Sequence, residues 1–400
     1  MEGKRFIHKI KLQNFLSYGS EGEEIELQPL NVLIGPNGSG KSNLIEAFGI
    51  LRATPTDLPA VFRQGGGIHE FLWKGNKDTV NAEIEITIDY PKNPNNLIYE
   101  LKFTASNQRL EILEENIRDG NINFDNNDVD EDFYFERFSV DGNPSFKIVE
   151  NEKIYVEFFD NDLLEPEQSI LSQIQEPKRY PEVSYLGREF SKISLYRHWQ
   201  MGRYSEPRNA QKTDLPEHPL LEDGSNLGLC LNNLKYKLGL RKTIEYLEKF
   251  YEEAEDVDVR IYGGTVQIFI REKGLIQPIP ATRLSDGTLR YLFLMALLLD
   301  PTPPPLICIE EPEIGLHPDI LPTIAEMLIE ASQRTQLIVT THSDALVSAL
   351  SEYPESVVVC ERDNTGTHLR RLEADKLKDW LENYTLGDLW RMGEIGGNRW

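Results

Sequence analysis

The sequence predicts an α/β fold, and three observations carry that expectation. An apolar run at residues 30–34 breaks into a glycine-spaced loop and then into a helical pattern over 44–51. Past residue 289, short apolar runs alternate with helical stretches, the pattern of a parallel sheet with covering helices. Before that, residues 80–117 alternate apolar and polar positions as a β-meander does.

The stretch LNVLIGPNGSGKS is G-x-x-x-x-G-K-[ST] with a strand before it and a helix after it. Glycines let such a loop curl so that several N–H groups converge on a phosphate chain, next to the positive end of a helix. The expected binding loop is Gly35, Pro36, Asn37, Gly38, Ser39, Gly40, Lys41, Ser42 and Asn43. Lys41 would reach the outer phosphates, and the Ser42 hydroxyl would bind a magnesium ion. A plain glycine-rich turn would not need Lys41 and Ser42 at this spacing. The expected ligand is a nucleoside triphosphate.

A length of 400 residues with 40% hydrophobic and 10% aromatic content fits an ordered globular chain with a large core. No apolar run approaches the roughly 18 residues of a membrane span, and the start MEGKRFIHKIKL alternates like a strand rather than a signal core. No membrane association is therefore expected. Cys230, Cys308 and Cys360 lack metal-ligand spacing and read as small core residues in a reducing cytoplasm. The formal charge of −24 weighs against a surface broadly attractive to nucleic acid, while leaving room for a local basic groove.

In chain order, strands are expected over 6–15, 24–27 and 30–34, and a first helix over 41–52. The meander takes 80–90, 97–104 and 110–117. Residues 119–132 are rich in Asp and Asn, but a calcium loop would need a mid-loop glycine, so a solvated hairpin loop is expected. Strands resume at 133–140 and 153–159, a short helix lies within 165–181, and 205–224 is an irregular connector. Helices over 227–238 and 241–255 precede two strands, 257–262 and 265–271, joined across Gly263-Gly264. The final block alternates helix 289–299, strand 306–309, helix 320–332, strand 337–340, helix 344–350 and strand 357–360.

Three further motifs carry chemistry. The strand LICIEEPE ends in adjacent carboxylates, where an open parallel sheet presents side chains to ligands. Glu310 sits where a magnesium-orienting acid belongs, and Glu311 suits a base that polarises the attacking water. RLSDGT, residues 283–288, opens a helix with Ser285, Asp286 and Gly287, a second anion site or, more plainly, a helix cap. IVTTHSD delivers His342 at a strand end, placed to sense a γ-phosphate or merely to pack.

Together these motifs resemble the ABC-type ATPases of the RecF and SMC branch. The loop at 35–42 looks like Walker A, residues 284–288 like the signature, 306–311 like Walker B and His342 like the switch histidine. EPEIGLHP is similar to that branch's run from Walker B into its D-loop, and KLQNFLSYG points the same way. LEDGSNLGLCLNNL and the ending LGDLWRMGEIGGNRW resemble a stand-alone bacterial group related to the ATPase part of OLD nucleases. Glu310 stands where Asp is more usual and Asp286 where Gly is frequent, and the Q-loop stays open between Gln64 and the Lys74-Gly75-Asn76 turn.

The resemblance implies an ABC ATPase head in three parts. Residues 1–104 form an N-terminal mixed β lobe, 105–280 a globular α+β insertion in place of coiled coil, and 281–400 a C-terminal lobe. It implies ATP and Mg2+ as ligands, and an ATP-dependent homodimer in which Ser285 of each copy meets the γ-phosphate held by the other. About 58 residues follow His342, too few for a Toprim nuclease domain, so a separately encoded effector is expected. Three functions are compatible: an anti-phage sensor or motor subunit, a DNA repair or recombination ATPase that clamps DNA, and a transporter nucleotide-binding subunit. The insertion and the family motifs disfavour the third.

Overall fold

The computed structural model describes residues 2–76, 80–92, 95–120, 133–138, 144–150, 153–160 and 164–397. The 121–132 part of the expected Asp/Asn hairpin loop and the end residues Arg399 and Trp400 lie outside them.

Strands β1 (Ile7–Gln13) and β2 (Glu23–Glu26) precede the fully buried β3 (Leu30–Ile34), which leads into α1 (Lys41–Ala53) and α2 (Leu58–Gln64). The meander follows as β4 (Ala82–Ile88), β5 (Leu97–Ser106), β6 (Arg109–Asp119), β7 (Phe133–Phe138), β8 (Ser145–Glu150) and β9 (Lys153–Phe158). Helices α3 (Ile170–Gln173) and α4 (Pro181–Phe190) lead to β10 (Ser194–Tyr196) and β11 (Gln211–Lys212). Then come α5 (Leu227–Leu238), α6 (Leu240–Phe250), β12 (Ala254–Tyr262), β13 (Thr265–Glu272) and β14 (Ile279–Pro280).

The last block is α7 (Asp286–Leu298), β15 (Leu306–Glu310), α8 (Leu321–Ser332), β16 (Gln336–Thr340) and α9 (Asp344–Ser348). It ends with β17 (Val357–Arg362), β18 (Thr367–Arg371), α10 (Ala374–Leu381) and α11 (Leu386–Met392). The helix expected over 241–255 stops at Phe250, because Ala254 already pairs with Glu272 in β12.

Three sheets result. An antiparallel sheet runs β2-β1-β4-β5-β6-β7-β8-β9, a central sheet runs β10-β15-β16-β3-β17-β18, and a small one is built on β11, β13, β12 and β14. The span 105–280 contributes strands to all three: β6 to β9 extend the antiparallel sheet, β10 edges the central one, and β11 to β14 make the third.

The central sheet is parallel from β10 to β17 and covered on both faces, so its strands read as continuous apolar runs. Alternation still sorts the side chains. Leu33, Cys308, Ile338, Val358 and Cys360 join the core beneath the antiparallel sheet and α1. Val32, Ile34, Ile307, Ile309, Val339 and Val359 join the core beneath α7 and α8. Gln336, fully buried, locks the two sheets together. Its Oε1 accepts the N–H of Ile7 at 2.8 Å and of Phe6 at 3.2 Å, and its Nε2 donates to the carbonyl of Ile7 at 2.8 Å. All three cysteines are buried and free, as a core reading expects.

Candidate functional site

Three neighbouring parallel strands, β15, β16 and β3, end side by side, with Glu310 paired to Thr340 and Thr340 to Leu33. The chain therefore delivers the 35–43 loop, Glu310-Glu311 and His342 to one edge of the sheet, where the strands' carboxyl ends leave room for a ligand. Sequence spacing alone does not place these three motifs in adjacent strands.

The loop starts from a buried Gly35, exposes Asn37, Gly38 and Ser42, and rolls into α1 through Gly40. Pro36 and Asn43 are half-buried, and Ser39 is buried. Gly40 has φ +103°, and a Cβ there would lie 2.3 Å from Thr367 Oγ1 and 2.7 Å from Ser17 Oγ. At Gly38, φ +80°, a Cβ would meet nothing within 4 Å, so the loop's outer rim is open.

Residues far from the motif hold its back. Thr367 Oγ1 lies 2.7 Å from Ser17 Oγ and 2.9 Å from the carbonyl of Ser39. Asn43 Nδ2 donates to Ser17 Oγ at 2.7 Å, and the Tyr18 hydroxyl donates to the carbonyl of Gly40 at 3.2 Å. Ser17 and Tyr18 fall within the KLQNFLSYG run, which gives neither a role of its own, and Thr367 lies in no motif. Lys41 curls over the loop, donating from Nζ to the carbonyls of Gly35 at 2.7 Å and Pro36 at 3.0 Å. Burial lowers its pKa, against the pull of Cys360 and Glu311.

The two adjacent carboxylates have different surroundings. Burial raises the Glu310 pKa, partly countered by the nearby Arg197, which pairs with Glu46 on α1. Glu311 adopts φ +48°, a left-handed conformation rare outside glycine, while its N–H donates to the carbonyl of Thr340 at 2.9 Å. Its Oε1 lies 3.7 Å from His342 Nε2. Burial, then the charge of Lys41, lowers the His342 pKa, so the imidazole is held neutral near pH 7. Glu313 Oε1 accepts from Thr341 Oγ1 at 2.7 Å and from the His342 N–H at 2.8 Å, fixing where β16 releases the histidine.

Beside the carboxylates runs a stretch the sequence reading leaves without a role. Trp199 Nε1 donates to the carbonyl of Glu310 at 2.6 Å, and Gln200 follows it. The Arg290 guanidinium of α7 lies 4.8 Å from the Trp199 ring centroid and donates to the carbonyl of Ile314. Of the two glutamine-loop alternatives, Gln64 is an exposed helix end and Lys74, Gly75 and Asn76 are exposed.

Ser285 caps α7, its Oγ accepting the Thr288 N–H at 3.0 Å. Asp286 pairs with Arg208. A Cβ on Gly287 would sit 2.9 Å from the carbonyl of Gly315, so a glycine is needed where the helix start meets the loop after Glu311. Ser285, Asp286 and Arg208 border a cleft of about 950 Å³ whose lining includes Arg203, Tyr204 and Arg283 and no residue of the 35–43 loop. Within one chain, the Ser285 turn and the 35–43 loop thus do not share this cleft.

The donor set suits a magnesium nucleotide: an ammonium and loop N–H groups for phosphate, and the oxygens of Ser42 and Glu310 for a hard cation. Among the described residues, one other carboxylate cluster, Glu83, Glu85 and Glu100, is close enough to share an ion. It already pairs with Lys11, Lys102 and Arg118 on the antiparallel sheet.

Sheet order, phosphate loop and strand-end carboxylates together define a P-loop ATPase of the ABC type. The chain belongs to the family described as "AAA domain, putative AbiEii toxin, Type IV TA system", whose profile matches residues 30–348. It is 35% identical to the Old nuclease of Escherichia phage P2 over 75 residues, 18% of this chain and 12% of that protein. It is 37% identical to the DNA repair protein RAD50 of Saccharomyces cerevisiae over 82 residues, 20% of this chain and 6% of that one. The Rad50 ATPase of Sulfolobus acidocaldarius is 37% identical over 86 residues, 21% of this chain and 9% of its own. The matched stretches are thus small parts of these relatives.

Two solved structures share the fold. An SMC head bound to the C-winged helix domain of ScpA superposes with TM-score 0.56 at 14% identity, over 93% of this chain and 99% of that one. An Smc head with extended coiled coil, bound to the C-terminal domain of ScpA derived from Pyrococcus furiosus, gives 0.57 at 13%, over 94% and 98%. Among the described residues, no helix is long and apolar enough to cross a membrane.

Proposed function

We propose that this protein binds ATP with Mg2+ and hydrolyses it to ADP and phosphate. The carrying observation is the convergence of the 35–43 loop, Glu310-Glu311 and His342 at the aligned ends of β3, β15 and β16. When bound, Mg2+ would neutralise phosphate charge. Ser42 and Glu310 would hold it, and Lys41 would leave the carbonyls of Gly35 and Pro36 to meet the outer phosphates. Glu311 would orient the attacking water and accept its proton, and neutral His342 would donate a hydrogen bond towards the γ-phosphate.

The absence of the 35–43 loop from the Ser285 cleft supports an ATP-dependent homodimer, each copy completing the other's site. The similarity to a phage nuclease and the family description support a cytoplasmic sensor or motor subunit acting with a separately encoded effector in anti-phage defence. The Rad50 similarities favour a second reading, a DNA repair ATPase, and DNA-stimulated hydrolysis separates the two. For the catalytic assignment, Glu311→Gln keeps ATP binding and lowers hydrolysis about a hundredfold or more, while Lys41→Ala loses ATP affinity. Hydrolysis by Glu311→Gln at the parental rate overturns the assignment.

A further inference from the structure

Arginine is rarely buried unless its donors are matched. Arg208, in the connector between β10 and β11, keeps only 8% of its surface exposed. Its Nη1 donates to the carbonyls of Leu284 at 2.5 Å and Ala281 at 3.3 Å. Its Nη2 donates to the carbonyl of Met201 at 3.2 Å and pairs with the Asp286 carboxylate. Leu284 and Asp286 flank Ser285, so one planar cation grips the turn on both sides of the serine. The Asp286 side chain is itself 65% exposed, so it does not fill a core. Only two residues, Leu284 and Ser285, separate the short helical turn Ala281–Arg283 from α7, and this grip holds the chain on both sides of the serine.

The geometry points to Arg208 as a positioning residue for the Ser285 turn: with Asp286 it holds Ser285 and the first N–H groups of α7 in the shape that receives a phosphate. The phosphate belongs to a nucleotide held by a second copy of this chain, and the inference rests on the paired-ATPase reading above. Three further features agree. Ser285 Oγ accepts the Thr288 N–H at 3.0 Å and lies 2.7 Å from Thr288 Oγ1, so its hydroxyl is fixed at the start of α7. Arg203 and Arg283 line the same cleft, a local positive surface on a chain of net charge −24. The cleft also takes no residue from this chain's own phosphate loop.

Lysine keeps the charge but cannot address four acceptors from one plane. The test is ATP-dependent dimerisation by analytical ultracentrifugation in the Glu311→Gln background, beside fluorescent-ATP binding at concentrations where the protein is monomeric. Arg208→Lys should weaken the ATP-bound dimer at least about tenfold and leave monomer ATP affinity within about twofold. Asp286→Asn, which keeps an acceptor for Arg208 but removes the charge, should shift the dimer the same way, with a thermal melt of each variant confirming that the monomer stays folded. Combining the two should add less than the product of the single effects, since both act on one contact. Unchanged dimerisation in both variants overturns the inference, as does an equal loss of monomer ATP binding. If the Glu311→Gln protein never dimerises with ATP, the paired reading itself fails, and the inference with it.

Discussion

The Glu313 carboxylate accepts the backbone N–H of His342 at 2.8 Å through Oε1, and the same oxygen takes the Thr341 hydroxyl at 2.7 Å. The other oxygen, Oε2, is buried without a partner. One acidic side chain thus ties the loop after β15 to the end of β16, and the position of His342 depends on it.

Glu313→Ala should cost about 1–3 kcal/mol, because it leaves two donors without their acceptor. Glu313→Gln keeps an acceptor oxygen and removes a desolvated charge, so it should stay within about 1 kcal/mol of the parent. Burial raises the Glu313 pKa. Stability tied to this group is therefore present below the ordinary carboxylate value and lost as pH rises through the folded value. The glutamine variant should lack that slope. Urea titrations between pH 4 and 7 read both effects, and equal stability of all three proteins refutes the tie.

His342 should titrate below 6.5 in the nucleotide-free protein, since burial and Lys41 both disfavour its charged form. Lys41→Met should raise its pKa, and Glu311→Gln should lower it further by removing the opposing carboxylate. A depressed histidine favours the fold above the unfolded value and loses that advantage as pH falls through 6.5 towards the folded value. Imidazole NMR titrations, assigned with a His342→Ala spectrum, measure the shifts. A rise on Glu311→Gln would show that other charges control the ring.

Two glycines of one loop should respond differently to the same methyl group. Gly40→Ala forces a Cβ to 2.3 Å from Thr367 Oγ1 at a φ of +103°, so the loop's rear support must move. It should cost about 3 kcal/mol or more and abolish ATP binding. Gly38→Ala meets nothing within 4 Å and carries mainly the left-handed penalty of about 1–2 kcal/mol. Thermal melts and fluorescent-ATP binding compare them. Equal destabilisation would remove Thr367 and Ser17 as the loop's support.

Elements with a clear period are legible in the sequence. The runs behind β3, β15, β16 and β17 announce themselves because both faces of the central sheet are covered. Helix α4 is not announced: Gly187 interrupts its pattern, although there it faces the carbonyl of Leu171 across the α3–α4 contact. Helix α10 packs only Leu377 and Leu381 against the core and has no fully buried residue, too short an apolar face over eight residues to announce a helix. Local alternation also identifies β6, β7 and β9 as strands without saying which sheet they extend, and it leaves β8 unmarked. At the site, the motifs show which residues could meet a nucleotide. What braces them is hidden, because Trp199 reaches a carbonyl 111 residues away and Arg208 one 76 residues away. Side chains that bond to backbone leave no pattern in the partner's sequence.

The chain's end separates two accounts of its tryptophans, packing on the ATPase core or docking an effector. Trp390 is buried and its Nε1 donates to the carbonyl of Gly397 at 3.3 Å, while the Gly397 N–H donates to Glu361 Oε1 at 2.9 Å. Arg370 Nη2 donates to the carbonyl of Ile395 at 2.7 Å. The turn also reaches the nucleotide loop, since a Cβ on Gly397 would sit 3.5 Å from Gly35 Cα and 3.1 Å from Val359 Cγ1. Deleting residues 396–400 should therefore cost about 1–3 kcal/mol and weaken ATP binding, through the loss of the Trp390 and Glu361 partners and of the support beside Gly35. Gly397→Val, at φ +74°, should act in the same direction without shortening the chain. Trp390→Phe keeps most of the apolar contact and loses the hydrogen bond, so it should cost only about 1 kcal/mol. Differential scanning calorimetry and fluorescent-ATP titration of the three proteins decide the matter. If the truncated protein melts and binds ATP like the parent but no longer co-purifies with its effector, the segment docks a partner and does not brace the phosphate loop.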